Sequence, residues 1–145
     1  EDVEWGELDY FVIDMPPGTG DIQLTTAQEM KISAGILVTT PQAVATDDVS
    51  RAIRMFQDIK VPIAGIIENM SYFVAPDTKT RYDIFGSGGG EMLAKNYGVK
   101  LLGQIPLLMQ IRELSDEGTP PVAHADEEYK RYYKSIAEEL VKTLG

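Results

Sequence analysis

The sequence contains no cysteine and only one histidine, His124. Without cysteine the chain can form no disulfide and can supply no thiolate to zinc or to an iron–sulfur cluster. A lone histidine with no cysteine beside it is a poor basis for a metal site, so we expect none at His124. The lack of cysteine is compatible with a reducing compartment, and we expect a cytoplasmic location.

Basic residues are few as well. Lysine and arginine total 13 against 23 aspartates and glutamates, which gives a net charge of −10. Nucleic acids and anionic membranes attract proteins through a basic surface, so we expect neither as a partner. The apolar runs are short, because none approaches the roughly 20 residues that span a bilayer, and no signal peptide is visible.

The chain does contain short apolar runs that alternate with segments of helical spacing. Strands are predicted at residues 10–13, 34–40, 63–67 and 99–106, and helices at 21–31, 45–59, 91–97 and along a final apolar stripe at 129–144. The irregular segment after the third strand can hold a hairpin around Pro76. This alternation predicts an α/β fold, with a mostly parallel sheet and helices on both faces, in one domain covering residues 1–145.

Ligands of such sheets bind beyond the carboxyl ends of the strands, where Asp14 follows the first predicted strand. An ionised carboxylate there needs water, a partner or a metal, so Asp14 either caps the next turn or holds Mg²⁺ beside a nucleotide. Pro16 and Pro17 stiffen the chain after it, and Gly18 can adopt positive φ. We interpret the rigid prolines followed by a flexible glycine as a loop that senses a terminal phosphate. The alternative is an ordinary surface turn.

Two other polar features have both a structural and a binding interpretation. Asn69 follows the third strand, and its amide can pair with the edge of a nucleobase or simply cap a turn. The glycine cluster at 86–90 precedes a helix but lacks the lysine of a Walker A loop. We interpret it as a flexible loop, with contact to an anion or a partner as the alternative.

Five segments, taken in order, resemble the Mrp-type iron–sulfur cluster carriers, which are P-loop ATPases of the deviant Walker A group that also contains MinD. They read DYFVIDMPPGTGD, VTTPQAVATDDVSRA, GIIENMSYFVAP, DIFGSGGGEMLAK and LLGQIPLLMQIRE. The resemblance covers about residues 8–122, and its most specific elements are Asp-x-Pro-Pro-Gly and Asn-Met-Ser-Tyr-Phe. It implies that residues 1–145 are the C-terminal portion of a single P-loop NTPase domain whose Walker A half is absent.

The resemblance also implies roles for four residues. Asp14 would be the Walker B carboxylate that holds Mg²⁺ through water, and Gly18 the switch glycine whose N–H meets the γ-phosphate. Asn69 would read the adenine, while the loop at Pro106 packs on the base or ribose. The implied cofactors are ATP and Mg²⁺. The implied function is ATP hydrolysis by the intact domain in iron–sulfur cluster assembly, as a homodimer that serves iron–sulfur apo-proteins.

The chain departs from this family at two places. The family carries Cys-x-x-Cys after the Ser-Tyr-Phe-Val segment, where this chain has Ala75 and Thr78. Neither side chain can ligate iron, which argues against an iron–sulfur cluster on this segment. The family also has Ile-Pro-Leu-Asp-Pro where this chain continues from Pro106 to Leu108 and Met109, so any contact from that aspartate is lost.

The family's Walker A loop, with its two lysines, lies upstream of every residue in this chain. In the family's sheet the P-loop strand separates the strand that ends at Asp14 from the strand that ends at Thr40. We therefore expect that the chain alone does not hydrolyse ATP at a useful rate. The position of the P-loop strand in the sheet would then be filled in one of three ways: by rearrangement of the chain, by exchange with a second copy, or by the missing segment supplied in trans.

Two other functions are alternatives to an ATP-dependent carrier. One is a non-enzymatic scaffold or regulatory relative that has lost cluster binding. The other is a positioning ATPase similar to MinD and ParA. The final helix argues against the second alternative, because Lys130, Arg131 and Lys134 are interspersed with acids rather than gathered into a basic face for membranes.

Overall fold

The structure is a computed structural model that describes residues 3–18 and 20–145. Its strands are β1 (Gly35–Thr39), β2 (Ile63–Glu68), β3 (Phe73–Val74), β4 (Arg81–Tyr82) and β5 (Leu101–Gln104). Its helices are α1 (Asp21–Glu29), α2 (Ala43–Asp58), α3 (Gly89–Tyr97), α4 (Met109–Asp116), α5 (Pro121–His124) and α6 (Glu127–Leu144). Strands β1, β2 and β5 form a parallel sheet in the order β1–β2–β5, and β3 pairs with β4 in a separate antiparallel hairpin.

Strand β2 is the centre of the sheet and is shielded on both faces, which explains its continuous apolar sequence. Ile66 is fully buried at its middle. The neighbouring Gly65 allows β2 to approach β5 closely, since a Cβ at this position would lie 2.7 Å from the carbonyl oxygen of Lys100. The backbones of β2 and β5 therefore lie close together at Gly65.

Helices α1, α2 and α3 cover one face of the sheet. Ile53 and Phe56 of α2, at helical spacing, pack with Leu93 of α3 against Leu37 and Ile66 of the sheet. Burying a side chain of this size stabilises the fold by about 1.5–3 kcal/mol. This cluster is the main core and fixes α3 over the carboxyl half of β2.

Helix α6 covers the other face. Its Ile136 packs on Leu102 and Ile105, and Gly103 lies so close beneath it that a Cβ there would be 2.5 Å from Cγ1 of Ile136. Helices thus lie on both faces of a parallel sheet, which confirms the predicted fold class. Within residues 3–18 and 20–145, no helix combines the length and the apolar character needed to cross a membrane.

The structure confirms three of the four predicted strands, but the strand predicted at residues 10–13 is wrong. These residues form no regular structure, and Tyr10, Phe11 and Val12 are exposed. A strand buried on both faces requires hydrogen-bonded neighbours and covering helices, and in the described part of the chain this segment pairs with neither edge of the sheet. The apolar pattern indicates that the segment suits burial, but the described residues supply no neighbouring strand.

Candidate functional site

The segments that follow β2 and β5 lie side by side at the carboxyl edge of the sheet. The backbone N–H of Ile105 donates to the carbonyl of Glu68 at 2.9 Å, and the N–H of Ser71 donates to the carbonyl of Ile105 at 2.9 Å. These bonds bring Asn69 and Pro106 into adjacent segments. Asn69 is half-buried and Pro106 is buried.

The turn that carries Asn69 is also tied to β1. The N–H of Asn69 donates to the carbonyl of Thr39 at 2.7 Å, and its Oδ1 accepts from the N–H of Met70 at 2.9 Å. Thr40, the residue after β1, has a buried hydroxyl with no hydrogen-bond partner among the described residues. Buried polar groups are nearly always satisfied, so this hydroxyl calls for a water or a ligand group as its partner.

A buried carboxylate, Glu68, lies at the base of the turn and is 0% exposed. Its Oε1 accepts from Ser71 Oγ at 2.5 Å and from Gln104 Nε2 at 2.8 Å, while Oε2 accepts from the N–H of Gly90 at 2.6 Å. A buried carboxylate is costly unless such donors compensate it. No role was predicted for Glu68 from the sequence, because an acid that ends an apolar strand marks the position but not the partners that the fold brings to it.

The last two glycines of the 86–90 cluster are packing residues, so the interpretation as a flexible loop is wrong for them. Gly89 and Gly90 are buried in the first turn of α3. A Cβ at Gly89 would lie 2.7 Å from the carbonyl oxygen of Pro41, and one at Gly90 would lie 3.0 Å from Cβ of Glu68. The anion at this helix N-terminus is the chain's own Glu68 carboxylate.

The segment with Asp14 and Gly18 is a separate, exposed part of the structure. Asp14 and Gly18 are both exposed, and Gly18 has φ of 99°, a conformation that suits glycine. Buried Gln23 of α1 holds the loop by donating from Nε2 to the carbonyls of Pro16 at 2.7 Å and Pro17 at 2.9 Å. Among the described residues no hydrogen bond joins this loop to the segments of Asn69 and Pro106.

The hairpin predicted around Pro76 is confirmed, with Phe73 opposite Tyr82 in β3 and β4. Its turn is closed by the N–H of Lys79, which donates to the carbonyl of Ala75 at 2.9 Å. The hydroxyl of Thr78 accepts from the N–H of Thr80 at 3.3 Å. A methyl group and an engaged hydroxyl do not fit the ligand set of an iron–sulfur cluster, which requires thiolate or imidazole.

A cavity of about 590 Å³ lies between the hairpin and the start of α6. Its walls include Tyr72, Pro106, Tyr129 and Tyr132. Burial raises the pKa of the Tyr72 hydroxyl, and a hydrogen bond with Tyr132 raises that pKa further. Tyr129, which begins the predicted apolar stripe, lines this cavity, and Tyr132 both lines it and packs against the Ile136 cluster. His124 lies exposed at the end of α5.

A parallel sheet covered by helices, with polar groups gathered at the carboxyl ends of adjacent strands, defines a class of α/β ligand-binding proteins. Solved structures identify the fold within that class as the P-loop NTPase fold. The nucleotide-binding protein from Archaeoglobus fulgidus in complex with ADP, in which Co was found, is 39% identical with a TM-score of 0.73, over 86% of this chain and 52% of that one. The Pyrococcus furiosus cell division ATPase MinD is 22% identical with a TM-score of 0.59, over 76% and 43%, and supports the fold alone.

The chain belongs to the ParA family, described as NUBPL iron-transfer P-loop NTPases, whose model matches residues 1–141. The iron–sulfur cluster carrier protein of Methanocaldococcus jannaschii is 52% identical over 143 residues, which are 96% of this chain and 49% of the relative. The Arabidopsis thaliana iron–sulfur protein required for NADH dehydrogenase, mitochondrial, is 47% identical, over 98% and 46%. The resemblance to iron–sulfur cluster carriers is confirmed, and the chain spans about half the length of these relatives.

Proposed function

We propose that this chain forms the base-binding half of an ATP-binding protein, which hydrolyses Mg-ATP when the phosphate-binding half is also present and acts in iron–sulfur cluster assembly. The observation that carries the proposal is the pairing of the Asn69 turn with the Pro106 segment at the carboxyl edge of the sheet. The ADP bound by the Archaeoglobus fulgidus protein supports a nucleotide as the ligand.

Asn69 and Thr40 provide the polar contacts in this proposal. The bond from Met70 to Oδ1 fixes the plane of the Asn69 amide, and the second lone pair of that oxygen can accept from the adenine amino group. The amide nitrogen then donates to a ring nitrogen of the base. The buried, unpaired hydroxyl of Thr40 offers one further contact at the same edge. Pro106 supplies an apolar surface for the base or ribose.

Asp14 and Gly18 are the residues by which this chain would add to the contacts that the phosphate-binding half makes. The oxygens of Asp14 suit Mg²⁺, which prefers carboxylates and retains several waters, and Mg²⁺ would neutralise charge on the phosphates. The backbone N–H of Gly18 would meet the terminal phosphate. Gln23 donates to the carbonyls of Pro16 and Pro17 and would hold this part of the loop in place during binding.

The link to iron–sulfur assembly rests on the relatives, which are named as iron–sulfur cluster carriers. Because Ala75 and Thr78 do not fit a cluster, we place no cluster on the hairpin of this chain. The proposed role is nucleotide-dependent contact with iron–sulfur apo-proteins, made by a homodimer. The same two residues favour a second candidate, a scaffold or regulatory relative that retains the fold without carrying a cluster.

Calorimetry on the full-length protein tests nucleotide binding. We expect Mg-ATP to bind, and we expect Asn69→Ala to weaken binding about tenfold, because one or two net hydrogen bonds are lost. Asn96→Ala, on the exposed side of α3, is the matched control and should leave the affinity unchanged. No heat of binding from the unaltered protein would exclude the proposal.

Phosphate release from ATP separates the enzyme from the scaffold. Asp14→Asn should abolish the Mg-dependent rate, whereas Asp9→Asn, on the same exposed segment, should retain it. A full-length protein that binds Mg-ATP but releases no phosphate, with or without added apo-protein, would favour the scaffold.

A further inference from the structure

The carboxylate of Glu68 joins three elements at the carboxyl edge of the sheet. Donors reach it from the turn through Ser71, from the start of α3 through Gly90, and from the end of β5 through Gln104. These partners lie 3, 22 and 36 residues away in sequence. Glu68 is therefore the point where the turn is attached to the rest of the fold.

The backbone conformation of the turn at 68–71 is unfavourable by itself. Met70 has φ of 52°, in the left-handed region that residues with a side chain rarely occupy. The bond from Ser71 Oγ to Glu68 Oε1 connects the first and fourth residues of the turn and closes it across Asn69 and Met70. The carboxylate thus compensates a backbone conformation that is otherwise unfavourable.

Resting on the proposed function, we infer that Glu68 is a positioning residue that directs the amide of Asn69 toward the base and so sets the preference for adenine over other purines. Glu68 itself is buried beneath the turn and does not contact the ligand. Its effect is on the orientation of Asn69, and hence on which edge of a purine the amide matches.

The Glu68 carboxylate accepts from all three donors at once. In Glu68→Gln the amide oxygen can still accept from the N–H of Gly90, but the amide nitrogen would face Ser71 and Gln104, which donate in the present arrangement. The space around the carboxylate is equally specific, because a Cβ on Gly90 would lie 3.1 Å from Oε2. Glu68→Gln is therefore an almost equal-sized change that removes acceptors without opening a cavity.

The test compares the binding of ATP with that of ITP. The two nucleotides differ in the purine substituent that the Asn69 amide is proposed to contact. Inosine carries a carbonyl acceptor where adenine carries an amino donor, and this carbonyl would face the acceptor oxygen of the amide. With the full-length protein and calorimetry, we expect Glu68→Gln to reduce the ratio of ATP to ITP affinity about tenfold. The affinity for ITP should change little, because the phosphate contacts remain.

Two further variants keep the test decisive. Glu91→Gln, an exposed carboxylate in the first turn of α3, is the matched control and should leave the ratio unchanged. If Glu68→Gln does not fold, Ser71→Ala opens the turn while the bonds from Gly90 and Gln104 remain, and it should lower the ratio in the same direction. Ser135→Ala, on the exposed side of α6, is its control.

The outcomes separate the inference from the proposed function. A lower melting temperature with an unchanged ratio, or an equal loss for ATP and ITP, overturns the positioning role and leaves nucleotide binding in place. An unaltered protein that binds neither nucleotide overturns both. A reduced ratio in Glu68→Gln or Ser71→Ala, with both controls unchanged, supports the inference.

Discussion

Gly89 illustrates how one missing side chain shapes the carboxyl edge of the sheet. It is buried, and its Cα lies where α3 passes over the segment between β1 and α2. A Cβ there would be 2.7 Å from the carbonyl oxygen of Pro41 and 2.9 Å from Cγ2 of Thr46. The nearest obstacle is backbone, which cannot rotate away as a flexible side chain can. The close approach is what allows Gly90 to reach Glu68.

We predict that Gly89→Ala destabilises the protein by about 1–3 kcal/mol, the usual effect of forcing an extra carbon into a packed site. The higher helix propensity of alanine offsets this loss by no more than about 1 kcal/mol. Urea unfolding followed by circular dichroism measures the difference. Gly20→Ala is the control, because its Cβ would meet only Oε1 of Gln23 at 3.4 Å. Equal stability of the two variants would show that α3 can shift to make room.

At the scale of elements, α6 is tied to β5 by charge as well as by packing. Glu139 accepts from Lys100, just before β5, at 2.6 Å and from Lys142 at 2.7 Å. The hydrogen bond with Lys100, followed by that with Lys142, lowers the pKa of Glu139 from 4.5 to about 2. The carboxylate is exposed, so salt will screen much of this effect.

The sign of the pH dependence follows from that shift. Because the pKa of Glu139 is lower in the folded chain, its contribution to stability is complete above pH 4.5 and is lost as the pH falls toward about 2. We predict that Glu139→Gln flattens this part of the melting temperature profile and that high salt does the same to the unaltered protein. Glu138→Gln, its exposed neighbour, should retain the slope. A slope that is unaffected by Glu139→Gln would assign the acid sensitivity to other carboxylates.

The hairpin formed by β3 and β4 is a second element, and its ability to bind a cluster depends on positions 75 and 78. Ala75 and Thr78 lie in one hydrogen-bonded turn, which is closed by Lys79 donating to Ala75. We predict that Ala75→Cys with Thr78→Cys gains visible charge-transfer absorbance after anaerobic reconstitution with iron and sulfide, because two copies of the chain then supply the four thiolates that a cluster requires. The unaltered chain and each single cysteine variant should gain none. If the double variant shows no such bands, the geometry of the turn also prevents cluster binding, even when thiolates are present.

The success of sequence reasoning differs between local and long-range features. Strands β1, β2 and β5 and the helix from Ala43 to Asp58 follow from apolar spacing within each segment, and the same spacing places Asn69 and Pro106 near the ends of β2 and β5. The role of Glu68 could not be predicted, because two of its partners come from 22 and 36 residues away. The strand predicted at residues 10–13 is wrong for the opposite reason. Its apolar pattern is local, whereas its burial requires a neighbouring strand.

At the scale of the whole molecule, the outer edge of β1 has no partner among the described residues. Strand β1 pairs there only with β2, and on the face away from α2 its Ile36 and Val38 are 37% and 56% exposed. Phe11 and Val12 are also exposed on a separate apolar segment. An apolar edge strand with free N–H and C=O groups is a template for pairing with another chain. In the family's sheet this edge is where the P-loop strand would lie.

We predict that the isolated 145-residue chain self-associates through the edge of β1, and that light scattering after size exclusion gives a mass above that of one chain. Val38→Lys should shift the chain toward monomer, because an exposed charge on an edge strand opposes pairing. Val44→Lys places the same charge on the surface of α2, where the valine is 76% exposed, and should leave the mass unchanged. A monomeric unaltered chain with cooperative melting would mean that residues 10–13, or a shift of α1, cover the edge in solution. If the phosphate-binding half added in trans also converts the oligomer to a one-to-one complex, the edge of β1 is the surface on which the two halves join.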